Sequence, residues 1–306
     1  MSKVICTARE HPLYPELHKA VRHLHGNKFK KPLLQPLAWI NSYRNTKSGE
    51  TSKTKVFWGD SFNVVRPDGV SVSTSRYGVY EPELTMAFLA LVKPGMTVYD
   101  VGAHFGYFSI LASTLVGQTG SVISFEPTPS TFTVLSSNLT TRLNCRAVNK
   151  AAWSENSRIQ IQDFGIASGA YNSVFSPRNG SLRTSNNAIT HNIDATTLDE
   201  IMRENGHKPD FIKIDTESAE QQVIEGANQI LNTCRPIISM ELGEMGVSAA
   251  MSSSDLVDLI CSFDYTPLEV KDADLILHQP MQTYRFTNLL FVPNESQLIA
   301  SYRSSR

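Results

Sequence analysis

The segment from Thr97 to Gly106, TVYDVGAHFG, limits the possible folds of this 306-residue chain more than any other. Its first five residues are β-branched or aromatic apart from Asp100, which predicts a buried strand. Glycines follow at 102 and 106, and residues 107–116 then carry apolar side chains at helical spacing. A strand, a glycine turn and a helix open the sheet of a nucleotide-binding α/β domain, where ligands bind beyond the carboxyl ends of the strands.

The spacing of the glycines argues against a dinucleotide. A dinucleotide fingerprint counted from Gly102 needs glycines at 104 and 107, where this chain has His104 and Tyr107. Asp100, on the turn itself, would repel a pyrophosphate. The next predicted strand ends in Glu126, whose carboxylate can accept both hydroxyls of a ribose. These features favour S-adenosylmethionine, which carries an ammonium and a sulfonium group but no phosphate, over NAD.

Strand and helix patterns alternate from Thr97 onwards, which predicts a mostly parallel sheet with helices on both faces. No helix separates the last two strands, so we expect them to form an antiparallel hairpin. Seven strands in this arrangement match the Rossmann-like sheet of class I methyltransferases. The predicted strands lie at 97–101, 121–125, 144–149, 210–214, 236–241, 264–270 and 287–292, and the predicted helices near 107–116, 129–139, 197–204, 218–231 and 253–262.

An N-terminal extension, residues 1–75, is predicted to precede a methyltransferase domain at 76–306. Residues 1–50 carry nine Lys or Arg and three acidic residues, so this arm can meet an anionic partner or form a solvated face. The domain contains an inserted loop, 165–192, which we predict to close over the site as a lid. The extension is predicted to contain a basic helix from about Pro15 to His25, a polar linker at 45–55, and a β-hairpin whose strands, 55–65 and 70–75, flank the turn Pro67-Asp68-Gly69.

The sequence argues against a membrane-spanning or a secreted protein. The longest uninterrupted apolar run, Met86–Val92, is too short to cross a bilayer, and the first residues lack the apolar core of a signal peptide. The four cysteines form no CxxC pair, which favours reduced thiols. We therefore expect a cytoplasmic location.

A second informative segment, residues 210–231, places acidic side chains at the end of a strand. Asp215 follows a buried strand, Glu217 and Glu220 follow at once, and Glu241 ends the next strand. A capping box, Ser218-x-x-Gln221, would explain Glu220 but not Asp215. Carboxylates at neighbouring strand ends can orient an acceptor hydroxyl, act as a base or bind Mg²⁺. A metal, if one is bound, would use Asp215 and Glu241.

Four sequence segments resemble, in order, the FkbM family of S-adenosylmethionine-dependent methyltransferases. Members mostly methylate hydroxyl oxygens of sugars, lipids and polyketide or other secondary-metabolite scaffolds. The resemblance implies that Asp100, Gly102, Ala103 and Gly106 form the cofactor turn, that Glu126 holds the ribose, and that Asp215 faces the site of methyl transfer. The segments are YGVYEPE (77–83) with KPGMTVYDVGAHFGYFS (93–109), VISFEPTP (122–129), TTLDEI (196–201) with DFIKIDTESAEQQVIEGA (210–227), and PIISMEL (236–242).

Two positions depart from the family pattern, which usually has Asn where this chain has His104 and Gly where it has Ser218. His104 is a candidate for contacting the methionine carboxylate, for acting as the base, or for packing in the turn. The candidate catalytic residues are therefore Asp215, Glu217, Glu241 and His104. Further cofactor contacts are predicted at Glu81, Pro127, Asn149 and Ala151, with helix capping as the alternative for Glu81 and strand-end packing for Asn149 and Ala151.

The predicted reaction is methylation of a small-molecule hydroxyl by in-line displacement, with a carboxylate or histidine removing the proton. The alternatives are methylation of an amine or carboxyl group on a small molecule or peptide, and a cofactor-binding module without catalysis. Nucleic-acid methylation is disfavoured, since the chain lacks an aromatic-proline catalytic tetrad and its core is acidic. The oligomeric state stays open.

Overall fold

The computed structural model describes residues 8–29, 49–166, 189–243 and 250–304. A short 3₁₀ helix lies at Ala8–Glu10. The strands are β1 (Glu50–Lys55), β2 (Ser61–Arg66), β3 (Thr97–Val101), β4 (Ser121–Phe125), β5 (Cys145–Val148), β6 (Ala151–Ala152), β7 (Ser157–Asp163), β8 (Ile189–Thr196), β9 (Phe211–Ile214), β10 (Ile237–Leu242), β11 (Tyr265–Lys271), β12 (Asp274–Leu277) and β13 (Thr287–Pro293). The helices are α1 (Tyr14–Phe29), α2 (Gly69–Tyr77), α3 (Pro82–Leu91), α4 (Tyr107–Val116), α5 (Pro129–Leu139), α6 (Leu198–Asn205), α7 (Glu220–Glu225), α8 (Asn228–Thr233), α9 (Ser253–Cys261) and α10 (Gln297–Ser304).

The central sheet has eight strands in the order β12-β11-β13-β10-β9-β3-β4-β5. From β10 to β5 neighbouring strands pair in parallel, whereas β13 is antiparallel to both of its neighbours. This arrangement confirms the predicted α/β fold. β11 and β13 pair antiparallel, as predicted, but they are not joined as a simple hairpin, because β12 lies between them in the chain and pairs with β11. The sequence did not reveal β12, which has four residues and lies at the sheet edge, where strands are commonly short.

Helices cover both faces of this sheet, as predicted. Along β3 the side chains alternate, so Val98 packs into one buried cluster and Tyr99 into the other. The first cluster contains apolar residues of α3 and α4, such as Phe88 and Ile110, and the second contains residues of α6 to α9, such as Ile201. None of the helices in the described part of the chain has the length and apolar composition of a membrane-spanning segment.

The N-terminal hairpin and linker were predicted at the wrong residues. β1 and β2 pair antiparallel, so residues 50–55 form a strand rather than a linker, and the hairpin turn lies at 56–60. Pro67-Asp68-Gly69 does not close a hairpin, because Asp68 Oδ1 accepts the backbone N–H groups of Val70 and Ser71 and so caps α2. Turns and helix N-caps favour the same residue types, and the sequence pattern did not distinguish them.

The region between β5 and α6 forms a second, three-stranded sheet in the order β6-β8-β7. The predicted loop 165–192 therefore ends earlier than expected, since β8 begins at Ile189. Most of the predicted lid falls on residues 167–188, which lie outside the described residues. The predicted helix at 218–231 is divided into α7 and α8, separated by Gly226 and Ala227.

Candidate active site

A cavity of about 350 Å³ lies at the carboxyl ends of β3, β4, β9 and β10, the position expected for a ligand in an open α/β sheet. Its volume is in the range of small-molecule sites. Ten of the thirteen predicted site residues line it, namely Glu81, Gly102, Ala103, His104, Glu126, Pro127, Ala151, Asp215, Glu217 and Glu241. Asp100, Gly106 and Asn149 are not among its lining residues.

The glycine turn after β3 packs directly against the end of β9. Gly102 has φ +74°, and a Cβ atom there would lie 1.7 Å from the carbonyl oxygen of Asp215. Gly106 has φ +89°, and a Cβ atom there would lie 2.7 Å from Leu135 Cδ1. Both positions therefore require glycine, for the backbone angle and for the space. This close approach brings the turn and Asp215 to the same side of the cavity.

Glu126 connects the turns that follow β3 and β4. Its Oε2 accepts the backbone N–H of His104 at 3.1 Å, and its Oε1 accepts that of Thr128 at 2.9 Å. Burial raises the pKa of Glu126 to about 7. The Asn149 amide donates to the carbonyl oxygens of Glu126 and Pro127, so Asn149 supports this turn from outside the cavity.

Asp100 lies beneath the glycine turn and is paired with a lysine. It is fully buried, and its Oδ2 accepts a hydrogen bond from Ser109 Oγ at 2.5 Å. Lys213 Nζ lies 3.6 Å from Asp100 Oδ1 and 3.2 Å from Asp215 Oδ2, and it donates to the Gly102 carbonyl oxygen at 3.3 Å. Burial alone would lower the pKa of Lys213, but the carboxylates of Asp215, Asp100 and Glu81 raise it above its usual value.

Sequence reasoning missed Lys213, although the signal was present. Lys213 lies inside the apolar strand β9, next to Asp100 in the register of β3 and β9. A lysine in a buried strand needs an opposite charge, and Asp100 was already a candidate. The pair places one cation between the glycine turn and the acidic residues of the cavity.

The acidic residues at one side of the cavity raise one another's pKa values. Burial, and then the charge of Asp215, raises the pKa of Glu81 to about 7, of Glu217 to about 8 and of Glu241 to about 9. Asp215, Glu217 and Glu241 each offer one oxygen within 4.8 Å of the others. Such oxygens are ligands that Mg²⁺ accepts, and the set includes both residues predicted for a metal.

A second cavity of about 290 Å³ adjoins the first. Three residues line both cavities: Glu81, Glu241 and Phe286. Glu241 is the only one of the four candidate catalytic residues that lines both. The acid at the end of β10 therefore lies where the two spaces meet.

The methyltransferase FkbM domain model matches residues 100–267 of this chain, which is more than half of its length. The chain belongs to the FkbM methyltransferase family. The comparison with curated proteins gave no match.

Three solved structures illustrate the structural similarity. The FkbM methyltransferase from Methylobacillus flagellatus KT is 18% identical over 73% of this chain, with a TM-score of 0.40, and this chain spans only 55% of its length. Aeropyrum pernix fibrillarin, solved with natively bound S-adenosyl-L-methionine, is 14% identical over 79% of this chain and 99% of its own, with a TM-score of 0.41. An S-adenosylmethionine-dependent O-methyltransferase from Thermotoga maritima is 11% identical over 84% of this chain and 83% of its own, with a TM-score of 0.37.

His104, where FkbM sequences usually have Asn, has the left-handed backbone that Asn tolerates better than most residues, with φ +52°. Its Nε2 lies 3.5 Å from Oδ2 of Asp68, the residue that caps α2, and this contact was not foreseen from the sequence. Neither ring nitrogen makes a hydrogen bond to the described residues. Burial lowers the pKa of His104, which favours a neutral imidazole in the cavity.

The segment after Asp215 forms a tight turn rather than a capping box. α7 begins at Glu220, and Glu220 Oε1 accepts the backbone N–H groups of Thr216 and Ser218 and the Thr216 hydroxyl. Glu220 is thus a structural residue, as interpreted from the sequence, although the contact is not the predicted one. Glu217 and Ser218 both have positive φ, +52° and +85°. An FkbM sequence with Gly at 218 would adopt this turn without strain.

Proposed function

We propose that this FkbM protein is an S-adenosylmethionine-dependent methyltransferase that acts on a hydroxyl group of a small molecule. The observation that carries the proposal is the glycine turn packed on Asp215, with Glu126 and Glu241 lining the same cavity. The acidic lining also supports a small-molecule acceptor, because carboxylates repel the phosphates of a nucleic acid. The proposed location is the cytoplasm, because Cys145, Cys234 and Cys261 are free thiols.

The residues of the cavity fit the proposed cofactor. Only glycine at 102 leaves room beside the Asp215 carbonyl oxygen. Glu126 uses one lone pair of each oxygen for backbone N–H groups, so each oxygen retains a second for a ribose hydroxyl. Asp215 and Glu81 supply negative charge for a ligand that carries an ammonium and a sulfonium group. The alternative of a dinucleotide would put phosphates against these acids.

S-adenosylmethionine, when bound, supplies a methyl group that is already activated by its sulfonium leaving group. The protein must therefore align the acceptor and remove one proton. Glu241 is the proposed base, because it lines both cavities. Its pKa of about 9 leaves a minor ionised fraction at neutral pH, and that fraction is a stronger base than an ordinary carboxylate. Asp215, held by Lys213, orients the acceptor. His104 and Glu217 remain alternatives for the base.

Calorimetry of S-adenosylmethionine binding tests the cofactor. Loss of a charge-assisted hydrogen-bonding group costs about 1.5–3 kcal/mol, so we expect Glu126→Ala to weaken binding by roughly 10- to 100-fold. Glu155→Gln, which changes an exposed glutamate that does not line the cavity, should bind as the wild type does. Folded protein that fails to bind at millimolar cofactor would overturn the proposal and favour a module without catalysis.

Transfer of a radiolabelled methyl group to a panel of hydroxyl compounds tests the reaction. General-base removal costs about 10²- to 10⁴-fold in rate, so we expect Glu241→Gln to lower kcat by that factor while retaining cofactor binding. Product analysis by mass spectrometry then separates ethers from methylated amines and methyl esters. The assay is run with Mg²⁺ and with EDTA, and we expect activity in both, since Lys213 already supplies a cation to the acids. Activity that requires Mg²⁺ would assign the metal to Asp215 and Glu241.

A further inference from the structure

The first cavity, in which we propose that the cofactor binds, is called the cofactor cavity. The second cavity lies across Glu81, Glu241 and Phe286 from it. A molecule bound there faces the cofactor cavity at Glu241, the proposed base. The volume of the second cavity, about 290 Å³, is close to the lower end of the range for small-molecule sites. The second cavity is therefore a space in which the acceptor can bind while the cofactor occupies the first cavity.

The second cavity carries acidic groups from three different segments. Glu81 and Glu83 lie at the start of α3, Glu241 lies on β10, and Glu269 lies on β11. The other residues that line it in the described part of the chain carry no charge: Leu84, Val270, Phe286, Thr287, Asn288 and Leu290. Glu81 and Glu241 have raised pKa values in the ligand-free protein, and a bound cation favours their ionised forms. A concave site whose only ionisable groups are acidic attracts the opposite charge. Anionic acceptors are repelled, and cationic acceptors are favoured.

Glu269 is held in place by a buried hydrogen-bonded pair. His278 Nδ1 lies 2.6 Å from Glu269 Oε1, and His278 Nε2 lies 2.9 Å from the Tyr284 hydroxyl oxygen. A neutral imidazole satisfies both contacts if Nδ1–H donates to Glu269 and Nε2 accepts from the Tyr284 hydroxyl. His278 and Tyr284 are 6% and 2% exposed, whereas Glu269 keeps a third of its side chain exposed. A network that fixes one carboxylate oxygen and leaves the rest accessible is typical of a prepared binding group.

Phe286 adds an aromatic surface to the same cavity. Phe286 is 65% exposed although its side chain is large and apolar. Its backbone φ of +48° is unusual for a residue with a bulky side chain. An aromatic ring beside carboxylates is a combination that binds ammonium groups, through cation–π attraction and charge pairing. Glu269, on β11, and Phe286, in the loop before β13, therefore indicate the same ligand chemistry.

We propose that the second cavity binds the methyl acceptor and selects one that carries a protonated amino group, held by Glu269 and Phe286, beside the hydroxyl that is methylated. This inference rests on the proposed function, since it names the acceptor class of that reaction. The hydroxyl lies toward Glu241, and the ammonium group lies toward Glu269.

The first test compares acceptors that differ in charge alone. Amino sugars and amino alcohols are assayed with radiolabelled S-adenosylmethionine, beside the same compounds after N-acetylation and after phosphorylation. We expect at least tenfold faster transfer to the amines than to the N-acetylated or phosphorylated forms. Glu269→Gln should raise KM for the amines at least tenfold, and Glu155→Gln should not change it. Equal transfer to all three sets, or an unchanged KM in Glu269→Gln, would overturn the inference.

The second test measures the charge preference of the second cavity without any methyl transfer. Thr287, which lines it, is changed to cysteine, and the introduced thiol is labelled with cationic and anionic methanethiosulfonates of similar size. The ratio of the two rates is compared with that of 2-mercaptoethanol, and the labelling of native cysteines is measured in the wild type. We expect a ratio at least tenfold in favour of the cation, reduced by Glu269→Gln. A ratio equal to that of the free thiol would contradict the inference.

The two tests separate this inference from the proposed function. Cofactor binding without transfer to any acceptor, together with a cationic preference at the introduced thiol, would overturn hydroxyl methylation and retain a cation site. Transfer that is indifferent to acceptor charge, together with a flat labelling ratio, would retain the methyltransferase and overturn the amine-selective site.

Discussion

The cofactor cavity and the second cavity share three residues but are built in different ways. The cofactor cavity includes the glycine turn after β3, which requires glycine at 102 and 106, and a carboxylate, Glu126, that accepts two backbone N–H groups. The second cavity is formed by side chains from the start of α3, from β10, β11 and β13, and from the loop before β13. The glycine turn belongs to one strand–turn–helix segment, so this part of the cofactor cavity is encoded locally in the sequence. A site made by side chains from distant segments depends on the whole sheet, and its acceptor can change by substitution without loss of the cofactor turn.

The largest expected effect is on the cofactor cavity. Gly102→Ala places a Cβ atom 1.7 Å from the Asp215 carbonyl oxygen, so β3 and β9 must move apart at the site. We expect at least a hundredfold loss of S-adenosylmethionine affinity by calorimetry, or a protein that does not fold. Gly206→Ala is the control, because Gly206 has nearly the same φ, +71°, with no atom within 4 Å of its added Cβ. That control should lose about 1 kcal/mol of stability and keep its affinity. Equal effects in both variants would mean that backbone strain, and not the close contact, limits position 102.

Replacing Lys213 tests whether its ion pairs with Asp100 and Asp215 hold the glycine turn against β9. Removing one partner of a buried ion pair costs about 3–5 kcal/mol, because the remaining charge is left uncompensated. We therefore expect Lys213→Met to lower the free energy of unfolding by about that amount in urea denaturation. Asp100→Asn added to Lys213→Met should recover part of the loss, since it removes one of the two carboxylates within 4 Å of the ammonium group. A single variant as stable as the wild type would show that the ion pair does not hold the turn to β9.

The same distinction explains what the sequence could predict. The strand–turn–helix unit, the sheet and the family follow from local patterns, which also predict that Gly102, Glu126 and Asp215 lie together, and all three line the cofactor cavity. Lys213 was missed because its partner, Asp100, is 113 residues away and only the β3–β9 register shows that they meet. Glu269 and Phe286 lie in segments with no motif, and nothing in the sequence predicts that they line one cavity with Glu81.

The errors in the N-terminal region have the same origin. The pattern Pro67-Asp68-Gly69 fits a turn as well as it fits a helix start, and the choice depends on what the following apolar residues pack against. Val70 belongs to the buried cluster that also holds apolar residues of β2, α3 and α4. Packing on that core, rather than local preference, therefore favours the helix.

The pH dependence of stability distinguishes Glu126, which lines only the cofactor cavity, from Glu241, which lines both cavities. Burial raises the pKa of Glu126 to about 7 and that of Glu241 to about 9, from an ordinary value of 4.5. A carboxyl group with a raised pKa in the folded state favours folding at low pH, and this contribution is lost as the pH rises through the folded value. We expect the melting temperature of the ligand-free protein to fall between pH 4.5 and about 9.

Two variants separate the contributions of Glu126 and Glu241 within this pH range. The melting temperature of Glu126→Gln relative to the wild type should rise with pH up to about 7 and then level, and that of Glu241→Gln should continue to rise to about 9. Each kcal/mol changes the melting temperature by about 2 °C in a chain of this size, so scanning calorimetry can detect both. Two curves that level at the same pH would contradict the separate environments.

The smallest expected effect concerns Ser218, which lies in the turn between β9 and α7. Its φ of +85° costs a residue with a Cβ atom about 1–3 kcal/mol, and glycine removes this strain at an entropic cost of about 0.5–1 kcal/mol. We therefore expect Ser218→Gly to raise stability by roughly 1 kcal/mol, measured by urea denaturation. Ser262→Gly is the control, because Ser262 ends α9 with an ordinary helical φ of −64° and should lose stability. If Ser218→Gly is not more stable than the wild type, the hydroxyl makes a contribution that offsets the strain. The departure from glycine would then reflect the acceptor side of the site rather than the turn.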